Sequence, residues 1–316
     1  MSSGRPILGI SSCLLGEHVR YDGGHKRNPF ITDVLSEHFE FRPVCPEVAI
    51  GLGTPRPAIH LERGEERIRV VGEKLPGEDF AGALGDYGRR MASELRNISG
   101  YVFKAKSPSC GVWRVPVHEP KGPPSRDGRG AYAAAFIEAV PLLPVEEEGR
   151  LNDPVLRENF IERVFAYRRW QDLCAKGLSA DALVRFHTAH KLALMSHDDR
   201  AMRRLGRMIA DAGGADLDAL AADYVRDFMA TLEKRATRRR HADVLMHLMG
   251  FLKKHLDGDD KQELLDVIHR YRVGELPLIV PVTLIKHHFR RHPHPYAVEQ
   301  TYLNPHPREL MLRNAI

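Results

Sequence analysis

The sequence predicts two domains of different class. Residues 1–150 read as an α/β domain with a mostly parallel sheet, and 178–316 as an all-α domain, joined by a bridging helix at 151–177. Three observations carry this. The chain has 316 residues, about twice the ~150 of a typical domain. Before residue 150, short apolar runs alternate with stretches of helical periodicity, as in βαβ units. From Ser179 onward helical spacing continues with no strand alternation to compete.

The elements follow in order. Residues 6–10 (PILGI) are a short apolar run ending in Ser11-Ser12-Cys13 and read as a buried strand. Residues 39–44 (FEFRPV) alternate and end at Cys45; 59–71 read as a strand pair turning at Arg63-Gly64-Glu65. Helical spacing runs from 78 to 98 and closes near Gly100. Residues 101–105 (YVFKA) are another strand, leading into Lys106-Ser107-Pro108-Ser109-Cys110-Gly111. Residues 130–139 read as a helix and 141–145 (PLLPV) as a last short strand. The stretch 118–130 (HEPKGPPSRDGRG), rich in Pro, Gly and charge, is expected to be an exposed, mobile loop. Asn152-Asp153-Pro154 is a helix start, with Pro suited to the first turn, and the helix runs to about Ala175. Further helices are expected over 179–195, 198–212, 217–236, 239–256, 259–272 and 283–290, broken at Gly213-Gly214, Asp257-Gly258 and Pro277. The tail after Pro293 has too many prolines for a long helix and is expected to wrap over the surface.

Composition narrows the function classes. No apolar run approaches the ~20 residues of a membrane span, and MSSGRPILGI lacks the long apolar core of a secretory signal. A cytoplasmic protein without membrane partners is expected. Four cysteines are too few for a disulfide scaffold. Residues 1–150 hold 20 basic and 20 acidic side chains, so the whole net charge of +5 lies in the remainder, with 12 of the 17 histidines. Chemistry and basic surface are thus separated along the chain.

Cys13, Cys45 and Cys110 each follow an apolar stretch, at the carboxyl end of an expected strand. In an open parallel sheet those ends meet in one crevice, where ligands bind. Spacing alone leaves three readings open. Free core cysteines explain any single one. Zinc normally takes four ligands and C-x₂₋₄-C pairs, which are absent here. An iron–sulfur cluster takes thiolates, and three of them would leave one iron open. Cys174, late in the helix expected after Pro154, reads as structural.

The flanking residues add a resemblance. Ser11-Ser12-Cys13-Leu14-Leu15-Gly16, Val19-Arg20-Tyr21-Asp22-Gly23-Gly24, Cys45-Pro46-Glu47-Val48, Gly51-Leu52-Gly53-Thr54-Pro55-Arg56 and the Lys106–Gly111 segment resemble the TudS thiouracil desulfurase family. In its two-domain layout the chain resembles the RudS-type tRNA 4-thiouridine desulfidases. Phe186-His187-Thr188-Ala189-His190-Lys191 and Tyr302-Leu303-Asn304-Pro305-His306-Pro307 look like the companion helical domain. The resemblance implies a [4Fe-4S] cluster held by Cys13, Cys45 and Cys110, with one iron open to the substrate's sulfur. It implies non-redox replacement of sulfur by water at a pyrimidine carbon, with release of sulfide. Iron suits this as a thiophilic Lewis acid.

Such a hydrolysis needs a proton shuttle, and Glu47, two residues after Cys45, is placed for it. Ser107, and less so Ser109, are candidates to hydrogen-bond the base or the cluster, although two serines beside a proline are also ordinary turn chemistry. Asp22 precedes a glycine pair and would orient water or a base edge, or simply form a turn. Ser12 would tune the cluster by a hydrogen bond. Arg20, Lys26, Arg56 and Lys106 are candidates for a nucleotide phosphate.

In the helical half, His187 and His190 lie three apart on one helix face. Without an H-E-x-x-H pattern, packing is the better reading. Arg203, Arg204 and Arg207 form one basic stretch; Arg235 with Arg238, Arg239, Arg240 and His241 a second; and 286–292, with Lys286, Arg290 and Arg291, a third. Phe289, Tyr296 and Tyr302 supply rings to stack on bases or pack the core. The expected function is a [4Fe-4S]-dependent desulfidase converting 4-thiouridine in tRNA to uridine. The alternatives are the same chemistry on free thiouracil or 4-thio-UMP, and an RNA-binding protein with a structural metal site.

Overall fold

The computed structural model describes residues 4–73, 77–210, 213 and 216–316. The chain divides into two compact units, Met1–Asn152 and Asp153–Ile316. Residues 1–3 of the N-terminal stretch, Asp211 and Ala212 of the helix expected over 198–212, and Gly214 of the glycine break lie outside the described residues.

The first unit carries strands β1 (Ile7–Ser11), β2 (Glu40–Val44), β3 (Ile59–Arg63), β4 (Ile68–Gly72), β5 (Gly100–Phe103), β6 (Val115–His118), β7 (Ser125–Gly128) and β8 (Val145–Glu147). Its helices are α1 (Pro46–Ala49), α2 (Ala81–Glu94) and α3 (Ala131–Ala139). One sheet has the order β2-β1-β5-β8 and is parallel throughout. Its centre is apolar: Leu8 and Ile10 of β1 and Tyr101, Val102 and Phe103 of β5 are fully buried. The edge strand β2 is mostly exposed, and there Pro43 costs the least ladder bonding. Strand order reverses at β1, with β2 on one side and β5 on the other. The crevice above the carboxyl ends of β1 and β5 is therefore a topological switch point, where such sheets bind ligands.

A second, mixed sheet has the order β4-β3-β6-β7, with only β3 and β6 parallel. It corrects the expectation of a mobile loop at 118–130. Ser125–Gly128 forms β7, antiparallel to β6. Arg63 on β3 ties it down through Asp127 at 2.9 Å and also holds Glu119 at 3.0 Å. A Ser-Arg-Asp-Gly strand shows no apolar alternation, so its pairing comes from tertiary partners rather than propensity. The last strand starts at Val145 rather than at 141, because Pro141 and Pro144 have no amide to give a ladder.

The second unit is helical: α4 (Pro154–Ala175), α5 (Ala180–His197), α6 (Asp199–Ala210), α7 (Leu217–Glu233), α8 (Arg238–Leu252), α9 (Gly258–Val273), α10 (Ile279–Arg291) and α11 (Pro295–Val298). The segment expected as a bridge thus opens this unit as α4. Asp153, Ser179, Asp216, Thr237 and Asp257 each cap their helix, the side chain accepting from first-turn amides. The tail does not merely wrap the surface. Short turns after α11 bury Tyr302, Leu303, Leu310, Leu312 and Arg313. Phe289 and Tyr302 are buried as well, so these rings pack the core and Tyr296 alone of the three is partly exposed.

The histidines of α5 are also interior. His187 Nδ1 lies 3.2 Å from the Tyr224 hydroxyl, and His190 Nδ1 donates to the Phe186 carbonyl at 2.7 Å. Burial holds His187 down at about 4, and His190 and His241 at about 3. His197 behaves oppositely: burial opposes its charge, but Glu162 at 3.2 Å raises it. Burial pushes the Glu162 carboxyl up, yet His197 overrides that and holds it at about 2.

A pH dependence follows. Below their unfolded value of 6.5, His187, His190 and His241 are protonated in the unfolded chain but not in the folded one, so acid favours unfolding. Stability carried by His197 is full below 6.5 and disappears only as pH rises through its raised value. That carried by Glu162 is full above 4.5 and is lost as pH falls from there toward about 2. Melting temperature should therefore drop as pH falls from 6.5 to 4, and His190→Gln, which cannot titrate, should flatten the curve. A wild-type profile without slope in that window would refute it.

Candidate active site

The three cysteines meet. Cys13 sits in a short 3₁₀ turn just after β1, and Cys45 caps α1 just after β2. Cys110 ends the loop that leaves β5. All three line one cavity of about 440 Å³, together with Ser12, Arg20, Lys26, Glu47, Arg56, Lys104, Lys106 and Ser107. Two of the expected site residues do not line it. Asp22 is exposed, accepting from the Gly24 amide at 3.0 Å and facing Arg20 Nε at 3.4 Å, the pattern of an Asx turn. Ser109 is fully buried behind the wall.

The thiols sit in low-dielectric surroundings. Burial pushes Cys13 up to about 11, against the opposing pull of Lys104, and burial also raises Cys45 and Cys110. Cys13, Cys45 and Glu47 all act on Cys110 electrostatically, so the thiols and the carboxylate share one neighbourhood. Cys174 is exposed on α4 rather than packed in a core.

Glu47 is held from two sides. Arg56 donates to its Oε2 through Nη2 at 2.6 Å and Nε at 3.1 Å, and Ser109 Oγ donates to Oε1 at 2.9 Å. Arg56 also donates from Nη1 to Gly53 O at 2.6 Å and lies 3.2 Å from Thr54 Oγ1. Its donors are spent inside the protein, so Arg56 positions Glu47 rather than offering itself to a phosphate. The serines exchange their expected emphasis. Ser107 Oγ accepts from the amides of Ser109 at 3.2 Å and Cys110 at 3.1 Å, fixing the turn, while Ser109 is the hydroxyl on Glu47. Lys26 and Lys106 are exposed on the cavity wall and form no ion pair among the described residues. Lys106 holds a left-handed φ of 60°, a strained setting for a residue with a side chain.

Sequence reasoning missed the buttress beneath the Cys110 loop. Lys104 on the cavity wall pairs with Glu148, whose other oxygen accepts from the Ala105 amide at 2.6 Å. Glu147 Oε1 accepts from Val112 N at 2.7 Å and Trp113 N at 3.1 Å. Ser11 Oγ accepts from Lys104 N at 2.9 Å. The acidic run Glu146-Glu147-Glu148 directly after an apolar strand was the available signal.

The start of α3 packs against the same loop. Ala131 N donates to Pro108 O at 3.1 Å and Ala133 N to Ser109 O at 3.0 Å. A Cβ on Gly130 would lie 2.4 Å from the Ser109 carbonyl and 2.8 Å from Cys110 N, backbone that cannot step aside. Gly130→Ala should thus cost about 1–3 kcal/mol in denaturant unfolding. It should also speed thiol labelling of Cys110. Unchanged stability and labelling would show that the loop yields freely.

Among the described residues no three His, Cys, Asp or Glu side chains form a ready-made centre for a single ion. Cys13, Cys45 and Cys110 bring three thiols to one cavity wall, the donor type that an iron–sulfur cluster takes.

Residues 8–148 match the model of a family described as 2-thiouracil desulfurase. An uncharacterized protein YbgA of Escherichia coli (strain K12) is 33% identical over 154 residues, 48% of this chain and 91% of that protein. The chain belongs to one family with YbgA, and its residues 8–148 are similar to the 2-thiouracil desulfurases. The solved structure of a [4Fe-4S]-dependent thiouracil desulfidase, TudS, is 31% identical, covering 48% of this chain and 95% of that one, with a TM-score of 0.38. An uncharacterized protein YbbK of Bacillus subtilis (strain 168) is 29% identical over 108 residues, 32% of this chain and 71% of that protein. Residues 191–307 match a second family, described as a protein of unknown function (DUF1722). Within the described residues no helix is long and apolar enough to cross a membrane.

The basic stretches of the helical unit divide. Arg238 Nη1 donates to Tyr271 O and Leu276 O, both at 3.2 Å, closing the end of α9. Arg240 Nη1 donates to His197 O at 2.5 Å, closing α5. These two are structural anchors rather than free cations. Arg239, Arg290 and Arg291 are exposed, and Lys286 is half-buried.

Proposed function

We propose that this protein is a [4Fe-4S]-dependent desulfidase that converts 4-thiouridine in tRNA to uridine and releases sulfide, in the cytoplasm. The observation that supports it most is the convergence of Cys13, Cys45 and Cys110 with Glu47 on one cavity at the switch point of a parallel sheet. In this reading the three thiolates hold the cluster, which supplies a thiophilic Lewis acid for the departing sulfur. Lys26 and Lys106 bind the phosphate of the thionucleotide at the cavity wall. Glu47 Oε1, held by Ser109, keeps a free lone pair and takes the proton of the attacking water. Arg56 fixes the carboxylate through Oε2. Ser12 and Ser11 position the chain beside Cys13 and Cys110.

In the helical unit, of Arg238, Arg239, Arg240, Lys286, Arg290 and Arg291, the side chains left to meet RNA are Arg239, Lys286, Arg290 and Arg291. The unpaired Lys26 and Lys106 also favour a second reading, in which a free nucleotide such as 4-thio-UMP is the substrate and bare thiouracil, with no phosphate, is the poorer one. Anaerobic incubation of the cluster-loaded protein with thiolated tRNA and with 4-thio-UMP, reading sulfide from each, separates them. Faster sulfide release from tRNA is expected. Release from 4-thio-UMP alone transfers the assignment to the free nucleotide, and release from neither sinks the desulfidase reading.

A further inference from the structure

A second cavity, of about 290 Å³, lies wholly in the helical unit between α10 and the buried tail. Its wall is one-signed. Lys286, Arg290, Arg308 and Arg313 line it, and among the described residues no Asp or Glu does. Arg313 is largely committed: its Nε lies 3.4 Å from Glu158 Oε1 behind the wall, and Nη1 donates to Tyr302 O at 2.6 Å. Its Nη2 is buried without a hydrogen-bond partner. Lys286 Nζ has only neutral partners, Asn304 Oδ1 at 2.5 Å and Leu303 O at 3.4 Å. Arg290 and Arg308 are exposed and unpaired among the described residues.

With only Arg313 balanced, by Glu158, the remaining cations of the wall repel one another. Burial first, then Arg308, Arg313 and Arg290, all hold the Lys286 ammonium below its ordinary value. An anion would relieve that repulsion, and phosphate suits a mixed Lys and Arg set. The rest of the wall joins an apolar face of Ile279, Val282, Phe289 and Leu303 to the polar Thr283, Asn304, His306 and Asn314. A bare anion would leave that surface wet, whereas a ring beside the anion would cover it. The volume lies at the small end for sites that enclose an organic ligand.

We infer that this cavity binds a nucleoside monophosphate unit, either free or as the end of an RNA chain. Its phosphate meets Lys286, Arg290 and Arg308, and its base and sugar lie on the apolar wall. Only residues of the helical unit are involved, so the inference stands or falls apart from the desulfidase chemistry.

Calorimetric titration of the full chain with UMP tests it, with uridine, inorganic phosphate and a 5′-phosphorylated RNA trinucleotide as parallel probes. Two exposed positions are changed together, Arg290→Gln with Arg308→Gln. UMP binding at the helical unit should weaken at least tenfold in that variant, whose two changes leave the other cavity untouched. Uridine and inorganic phosphate should each bind at least tenfold more weakly than UMP. Tighter binding of the trinucleotide would identify the RNA end as the source, and tighter binding of UMP the free nucleotide; both support the site. Equal UMP binding by wild type and the Arg290/Arg308 variant overturns it. Uridine or phosphate binding as tightly as UMP overturns it too.

Discussion

Replacing Cys13, Cys45 or Cys110 by Ala should remove iron and abolish sulfide release, whereas Cys174→Ala should leave both intact. The expected wild-type content is about four iron and four sulfide per chain after anaerobic reconstitution. The effect should be all-or-none because no spare donor stands by: among the described residues no other cysteine lines the cavity, and no histidine does. Cys174 sits exposed on α4, outside that wall. Loss of metal should not be loss of fold, since the core of β1 and β5 is apolar and independent of the thiols. Circular dichroism of each variant should therefore match wild type while the cluster's visible absorbance vanishes. Stoichiometric zinc with no iron, or full activity in any of the three variants, would overturn the assignment.

The reach of the sequence can be judged residue by residue. β1 and β5 were legible because short apolar runs ending in Ser or Lys leave few alternatives, and the cysteine positions followed from the carboxyl ends of those strands. β7 was not, since Ser125–Gly128 has neither alternation nor β propensity and owes its place to β6 and Arg63. Helix starts in the second unit were legible from helical spacing and, for the first, from Asp153-Pro154, while the caps Ser179, Asp216, Thr237 and Asp257 show only in the fold. Burial of the tail was hidden by its prolines, which forbid a long helix but not short turns that press Tyr302 and Leu312 inward.

Within the site, residue types were legible and partners were not. Arg56 was a plausible phosphate ligand as a bare cation; only the fold brings it within 2.6 Å of Glu47, nine residues back. The choice between Ser107 and Ser109 depends on which hydroxyl the turn consumes, and a turn shows that only when folded. Arg238 and Arg240 read as surface charge for the same reason, because the carbonyls they satisfy belong to distant helix ends.

Glu47→Gln should keep iron and lose about 10²–10⁴-fold in turnover, the usual range for general acid–base work. The amide preserves shape but cannot take a proton from water. The geometry makes the carboxylate the proton's destination: Oε2 is occupied by two donors of Arg56, while Oε1 has one bond, from Ser109, and a lone pair to spare. Ser109→Ala, which frees Oε1 but loosens the carboxylate, should slow turnover far less than Glu47→Gln. Arg56→Met should act mainly on stability. It strips the partner from a pair that is 3% and 14% exposed, a change that costs about 3 kcal/mol when the remaining charge stays buried. These variants separate chemistry from support: both should melt below wild type, since each strips the charge partner from a buried group, but Glu47→Gln should lose far more turnover per folded, iron-loaded molecule than Arg56→Met. Near wild-type turnover in Glu47→Gln would take the proton transfer away from this carboxylate, and since Asp22 lies off the cavity wall, Ser107 would be the hydroxyl to examine next.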